Sequence, residues 1–202
     1  MHNQPGDGDL LRSMLSGSEE AFTMLYRRYQ PGIYRFARQM TGETGLAEEV
    51  LQEVFLTLMR HGRSFDSRRG PLSAWLYGIA RNCIHRCLER ERPYVALETG
   101  TDEENTADLL PDCASEHGLA DLESRQTVEQ VRRAVLALPE NYREVVVLCE
   151  LQELGYSEAA QILACPVGTV RSRLHRARDL LAVRLRRLRE PATQGITRQC
   201  HR

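Results

Sequence analysis

Over long stretches of this chain apolar residues recur at alternating steps of three and four, the spacing that gathers them on one face of an α-helix. From Glu19, the residues Phe22, Leu25, Tyr26 and Tyr29, and then Ile33, Phe36, Ala37 and Met40, fit one such face, and Pro31 is expected to kink or split the helix. Gly42 and Gly45 mark a turn. A second helix follows, with Ala47, Val50, Leu51, Val54, Phe55 and Leu58 inward and Glu49, Gln52 and Glu53 gathered outside as an acidic patch. After the loop HGRSFDSRRGP, a third helix starts at Pro71. It is expected to bury Leu72, Trp75, Leu76, Ile79, Ala80, Cys83, Ile84, Cys87 and Leu88, and to turn Tyr77, Arg81, Asn82, His85, Arg86 and Arg90 outward. Further on, Thr127 to Leu138 reads as a helix with Val128, Val131, Val135 and Leu138 inward. The next helix, opened by Pro139, buries Tyr142, Val145, Val146 and Cys149. No stretch resembles a β-strand domain or a repeat array, so the fold class is all-α.

The most informative stretch is YSEAAQILACPVGTVRSRLHRAR, Tyr156 to Arg178. Ser157 is a suitable N-cap for a short helix through Leu163, and Ala164, Cys165 and Pro166 break the chain before a second helix begins at about Val167. In that helix Val167, Val170, Leu174, Ala177 and Leu181 form a buried stripe, while Arg171, Arg173, His175, Arg176 and Arg178 project from the other side. This is a helix-turn-helix pattern. Thr169 and Ser172 near the helix start are short hydrogen-bonding groups suited to base edges, and arginines at the rim are suited to phosphates. A solvated basic face on an ordinary helical hairpin is the alternative. The turn, the cap and the one-sided arginines together favour DNA.

Charge sharpens the domain picture. The chain carries 27 basic residues against 28 acidic ones, all the basic ones arginine, and the near-neutral sum hides segregation. Between Ala96 and Ser124 there is no arginine, but Glu98, Asp102, Glu103, Glu104, Asp108, Asp112, Glu116, Asp121 and Glu123 are present. Two basic, helix-rich blocks are therefore joined by an acidic connector. The expected division is a flexible N-terminus at 1–18, a helical domain at 19–92, a flexible acidic linker at 93–126, a second helical domain at 127–190 containing the helix-turn-helix, and a disordered tail at 191–202. Without a long apolar run or a basic-then-apolar start, neither export nor membrane insertion is expected, and cytoplasm is the default. Of six cysteines, Cys83, Cys87, Cys149 and Cys165 read as small buried hydrophobes, whereas Cys113 and Cys200 fall in the connector and tail. A metal site from Cys83, His85 and Cys87, or one recruiting Cys200 and His201, is disfavoured, since no CxxC pair exists and His85 points away from its two neighbours' stripe.

AEEVLQEVFLTLMR, then GPLSAWLYGIARN, an acidic connector and LPENYREVVVLCELQELGYSEAAQILACPVGTVRSRLHRAR follow in an order that closely resembles the extracytoplasmic-function (ECF) group of bacterial sigma-70-family factors. The resemblance covers roughly Glu19 to Arg92 and Thr127 to Leu188, and makes Cys165 a family turn residue. It implies a promoter-specificity subunit with no catalysis, cofactor or metal of its own, and a monomer when free of partners. Glu49, Gln52 and Glu53 would dock on the clamp helices of the largest subunit of core RNA polymerase, with Phe55 as local core, and the second domain would meet the flap. Phe65, Asp66, Ser67 and Arg68 in the loop, with Arg81 and Asn82 on the helix after it, would melt the minus-10 element and capture a flipped base. Thr169, Arg171, Ser172, Arg173 and Arg176 would read the minus-35 duplex. An anti-sigma factor wedged between the domains is the implied control.

Two features fit that division of labour. A nearly neutral protein does not hold bulk DNA tightly by itself, which suits a factor acting only within polymerase. The acidic connector is a candidate nucleic-acid mimic for a basic polymerase channel. A conventional helix-turn-helix regulator, dimeric on a palindrome, is the rival, and it leaves the acidic patch and the basic loop unassigned. An enzyme ranks lower still, because the chain has no Gly-rich phosphate loop, nucleophile elbow or paired His and carboxylate motif.

Overall fold

The computed structural model describes residues 5–91 and 119–189, and all the regular structure in them is helical. The first unit comprises α1 (Asp7–Leu15), α2 (Glu19–Thr41), α3 (Thr44–His61) and α4 (Leu72–Glu91). The second comprises α5 (Leu119–Leu136), α6 (Glu140–Val146) running into a π-helical turn at Val147–Leu151, α7 (Tyr156–Ile162) and α8 (Val167–Arg189). The expected linker lies outside the described residues up to 118, but its last part, 119–126, is not a flexible connector and opens α5; the expected tail lies outside the described residues.

The long helix α2 is the spine of the first unit. Ser18 Oγ accepts from the Ala21 N–H at 3.2 Å at its start, and Gly42, at φ +82°, ends it in a left-handed turn. The chain stays helical through Pro31 instead of splitting there. The glycine beside it has a packing role, since a Cβ on Gly32 would lie 2.6 Å from Tyr77 Oη. That close approach lets α4 settle on α2. Tyr77 is therefore buried, not outward as its place in the pattern suggests, with its ring edge-on to Phe36 at 5.4 Å. Ile33, Phe36, Ala37 and Met40 then share one core with Val50, Val54 and Leu58 of α3 and Leu72, Leu76, Ala80 and Ile84 of α4. Trp75 departs from expectation in the other direction and is only half-buried.

The N-terminal segment, expected to be loose, forms α1. Leu10 and Leu11 are buried, and the Asp7 carboxylate accepts from Arg28 and from the Tyr29 hydroxyl of α2. Burial first, and that bond second, push the Tyr29 phenol well above its usual range. Leu10 and Leu11, with Met14 and Leu15 packed against the same core, and the Asp7 tether order these nine residues.

In the second unit, Val145 to Leu148, Ala159, Ile162, Val170, Leu174 and Ala177 are buried. Val128 and Val131, expected inward, are 68% and 37% exposed, whereas Ala134 and Val135 towards the C-terminal end of α5, with Leu138 just beyond, are buried. Cys149 is half-buried. The units touch where α4 meets α7 and where the C-terminal half of α2 meets α5 and the π-helical turn. At that second contact a Cβ on Gly42 would sit 2.9 Å from Leu136 Cδ1, against a backbone already at positive φ. Gly42→Ala is expected to lower the stability of the chain by about 1–2 kcal/mol through left-handed strain alone, and more through the clash. Chemical denaturation followed by circular dichroism measures it, and an unchanged midpoint would show that neither constraint operates.

Candidate functional site

The helix-turn-helix forms as the pattern indicates, with one change at its start. Gly155, in extended conformation, occupies the N-cap of α7, so Ser157 lies inside the first turn and caps nothing. Ala164 takes a left-handed φ of +49° after the end of α7, Cys165 N–H returns to the Ala160 carbonyl at 3.0 Å, and Pro166 accepts from the Thr169 and Val170 N–H groups to open α8. Val170, Leu174 and Ala177 are buried, with Val167 and Leu181 packed against the core. This fixes the rotation of α8. Arg171, Ser172 and Arg176 are exposed on its free side, and Thr169 and Arg173 are partly covered. Ser172 Oγ donates to the Thr169 carbonyl at 3.1 Å, and the Arg171 guanidinium stands 5.8 Å from the Tyr156 ring centroid, held at the turn by a cation–π contact. Arg178, by contrast, is paired with Glu150.

Of the residues assigned to the loop and α4, Phe65, Asp66, Arg81 and Asn82 come together. They line an open cleft of about 490 Å³ with Arg69, Trp75 and, from the other unit, Gln161 and Ile162 of α7 and Ala164 of the turn after it. Ser67 and Arg68 are exposed and do not line it. The loop is shaped by Asp66, whose carboxylate accepts from the Arg68 N–H at 3.0 Å and Arg68 Nε at 3.1 Å to start a 3-10 turn. These bonds, the side chain's first and the backbone's second, hold the Asp66 carboxyl below the usual carboxylate range. Trp75, which the pattern assigned to the core, stacks obliquely on Phe65 with centroids 5.6 Å apart and belongs to the cleft wall.

Two residues of the α4 face expected to meet solvent, Arg81 and His85, instead meet the second unit, while Asn82, Arg86 and Arg90 stay exposed. Arg81 Nε donates to Glu144 Oε1 at 2.5 Å, and His85 Nε2 lies 3.0 Å from the same oxygen. His85 Nδ1 is 2.6 Å from Glu140 Oε1. Glu144 is 1% exposed, a carboxylate the hydrophobic pattern passes over because its partners lie about sixty residues away. Nothing local signals it.

On the opposite side of α4, Glu49, Gln52 and Glu53 border a cleft of about 510 Å³ with Cys83, Arg86, Cys87 and Arg90. Arg90 Nη2 donates to Glu49 Oε1 at 3.0 Å, and both are exposed. Arg86 and Arg90 also donate to the Cys83 and Cys87 sulfurs, each at 3.2 Å. Burial outweighs Arg86 at Cys83 and raises its thiol pKa, so that sulfur stays protonated. Phe55 is buried beneath the patch, as expected of local core.

The family model for sigma-70 region 2 matches residues 25–93, and that for sigma-70 region 4 matches residues 128–181. The ECF RNA polymerase sigma factor SigW of Bacillus subtilis is 33% identical over 88% of this chain and 96% of its own length. The chain belongs to the ECF group of the sigma-70 family. The ECF RNA polymerase sigma-E factor of Escherichia coli K12 is 33% identical over 90% of this sigma factor and 95% of its own length. Among solved structures, CnrH in complex with the cytosolic domain of CnrY is 25% identical at a TM-score of 0.67, covering 91% of this chain and 99% of that one. The sigma factor RpoE from Bartonella quintana, in complex with the anti-sigma factor NepR, shares the fold at 23% identity and a TM-score of 0.59, covering 82% and 96%. The two family matches bracket residues 94–127, which contain the acidic connector.

The sign of the Asp66 shift makes the cap testable. A carboxyl held below its unfolded value keeps its contribution above ~4 and loses it as pH falls through the lower folded value. The Arg68 amide resonance is expected to titrate with a midpoint below that of an ordinary aspartate, and Arg68→Ala to move the midpoint upwards. A midpoint near ~3.9 in both proteins would remove the cap from the account.

Proposed function

We propose that this sigma factor binds core RNA polymerase through Glu49, Gln52 and Glu53 and directs initiation by engaging promoter DNA with its two helical units. The observation that carries the reading is the rotation of α8. Its apolar stripe is spent on the core, and that leaves Arg171, Ser172 and Arg176 free on the opposite side. An α-helix so presented enters a major groove with its first turns at base edges and its arginines at phosphates. Thr169 and Arg173 flank that row, and all five form the minus-35 surface. The minus-10 surface is the cleft of Phe65, Asp66, Arg81 and Asn82, with Ser67 and Arg68 on the exposed rim of the same loop. An aromatic pair beside two arginines supplies stacking and phosphate contact to an unstacked strand.

The acidic patch on α3, with Glu49 and Gln52 exposed and Glu53 half-buried at a cleft, lies apart from both of these surfaces, which suits a basic protein partner. The factor does no chemistry of its own, since polymerase supplies it. Among the described residues no helix is long and apolar enough to cross a membrane, and action beside polymerase in the cytoplasm follows from the role. CnrH is solved bound to the cytosolic domain of CnrY, and an anti-sigma partner held between the two units is the corresponding reading here.

In vitro transcription on a fragmented genomic template, with core polymerase and the purified chain, tests the assignment. Promoter-specific transcripts are expected, and Arg171→Ala should cost about 1–3 kcal/mol of recognition, roughly 5- to 150-fold in promoter affinity. Glu53→Arg should abolish transcripts at sub-saturating polymerase while leaving the free chain folded. Tight dimeric binding to duplex sites without polymerase, and no transcripts, would overturn the reading.

A further inference from the structure

We propose that Cys83 and Cys87 form a two-sulfur site for a soft metal ion, copper(I), in the cleft between α3 and α4. The two thiols stand one turn apart on α4 and are only 5% and 4% exposed, yet both line the open cleft of about 510 Å³ that Glu49, Gln52 and Glu53 border. They are not enclosed by apolar atoms alone. Each sulfur accepts a guanidinium N–H at 3.2 Å, Cys83 from Arg86 and Cys87 from Arg90. A buried pair of soft ligands, open to a cleft and each held by its own cation, is more than packing requires.

Spacing decides the class of ligand. Cβ atoms four residues apart on a helix are about 5–6 Å apart, whereas a disulfide needs them at about 3.5–4.5 Å. A direct S–S bond would therefore distort α4, but an atom placed between the sulfurs closes the gap. His85, the third residue of the metal site disfavoured by the sequence, is turned away to Glu140 and Glu144. Among the described residues no group of three or more His, Cys, Asp and Glu side chains is arranged to hold an ion. Zinc, which takes four ligands in structural sites and three beside an open position, has no set here. Copper(I) is a soft ion that selects thiolates, and two of them complete a linear complex.

Charge points the same way. Uptake of copper(I) replaces two S–H bonds by two Cu–S bonds and releases two protons, leaving a bis-thiolate complex with a single net negative charge. No oxidant or reductant takes part, since the metal enters and stays as copper(I). A buried anion has to be compensated, and Arg86 and Arg90 already stand at the two sulfurs. Glu49 and Glu53 at the border of the cleft favour the approach of a cation.

Anaerobic titration of the full chain with copper(I), in competition with the chromophoric chelator bicinchoninate, tests the site, and copper-edge X-ray absorption counts the ligands. The chain is expected to take copper(I) from the chelator and to hold it between two sulfurs. Cys83→Ala and Cys87→Ala should each abolish the competition, whereas a chain with Cys113, Cys149, Cys165 and Cys200 all replaced by serine should retain it. Arg86→Gln and Arg90→Gln keep both thiols and should weaken binding roughly 10- to 100-fold, as loss of a partner to a metal ligand does. Circular dichroism confirms retained helix in each protein. Should the four-serine chain lose helix, the rise in thermal midpoint when copper(I) is added to the unaltered chain, absent in Cys83→Ala, carries the assignment instead. Equal uptake by the unaltered chain and by folded Cys83→Ala and Cys87→Ala would make the binding adventitious and overturn the site. Copper found with three or more protein ligands would overturn the two-sulfur geometry.

Discussion

A carboxylate that is 1% exposed has to be compensated, and in this chain the compensation for Glu144 comes from another part of the fold. Stripping water from an unpaired carboxylate costs several kcal/mol, on the order of what a small domain has in total. Arg81 on α4 supplies the opposing charge and a hydrogen bond, and a His85 ring nitrogen lies within hydrogen-bond distance of the same oxygen. The relative placement of the two helical units is thus tied to one buried carboxyl group, and Arg81 and His85 of α4 are drawn into the contact.

The same boundary carries its own weakness. Glu140 Oε1 is buried and accepts no hydrogen bond although His85 Nδ1 is close, and Arg143 Nε is buried and donates none. Desolvation also lowers the Arg143 pKa, with Glu140 only partly offsetting it. Two orphaned polar atoms cost about 1–3 kcal/mol each, comparable with the net ~1–3 kcal/mol contributed by each charged hydrogen bond around them. A boundary balanced in this way is specific in geometry and modest in strength, as interfaces between separable domains generally are. The apolar cores on either side have no such compromise, and Phe36, Leu76, Leu148 and Leu174 are almost fully buried without any polar bargain.

Arginine serves four different ends among the described residues. On α8 it stays exposed for a ligand, as at Arg171 and Arg176. At the end of α2 it caps carbonyls, as at Arg132 and Arg143. On α4 it neutralises a buried acid at Arg81 and covers two thiols at Arg86 and Arg90. A planar guanidinium with five donors fits each of these settings where an ammonium would not, which is a physical rationale for a chain that uses no lysine.

The sequence by itself determined every described helix but α1, most of the stripe that each buries, the turn at Cys165 and Pro166, and the exposed row on α8, because these depend on residues three and four apart. It misplaced whatever depends on partners far along the chain. Tyr77 is buried because Gly32 admits it, α1 is ordered with the help of the two donors that α2 offers Asp7, and Val128 and Val131 are exposed while α5 packs through Ala134 and Val135. Trp75 belongs to a cleft wall because α7 stands opposite. The division is physical. Periodicity records which side of a helix avoids water, but a polar face shows no local sign of whether water, DNA or another helix will cover it, and only the tertiary structure decided that Arg81 and His85 face Glu144.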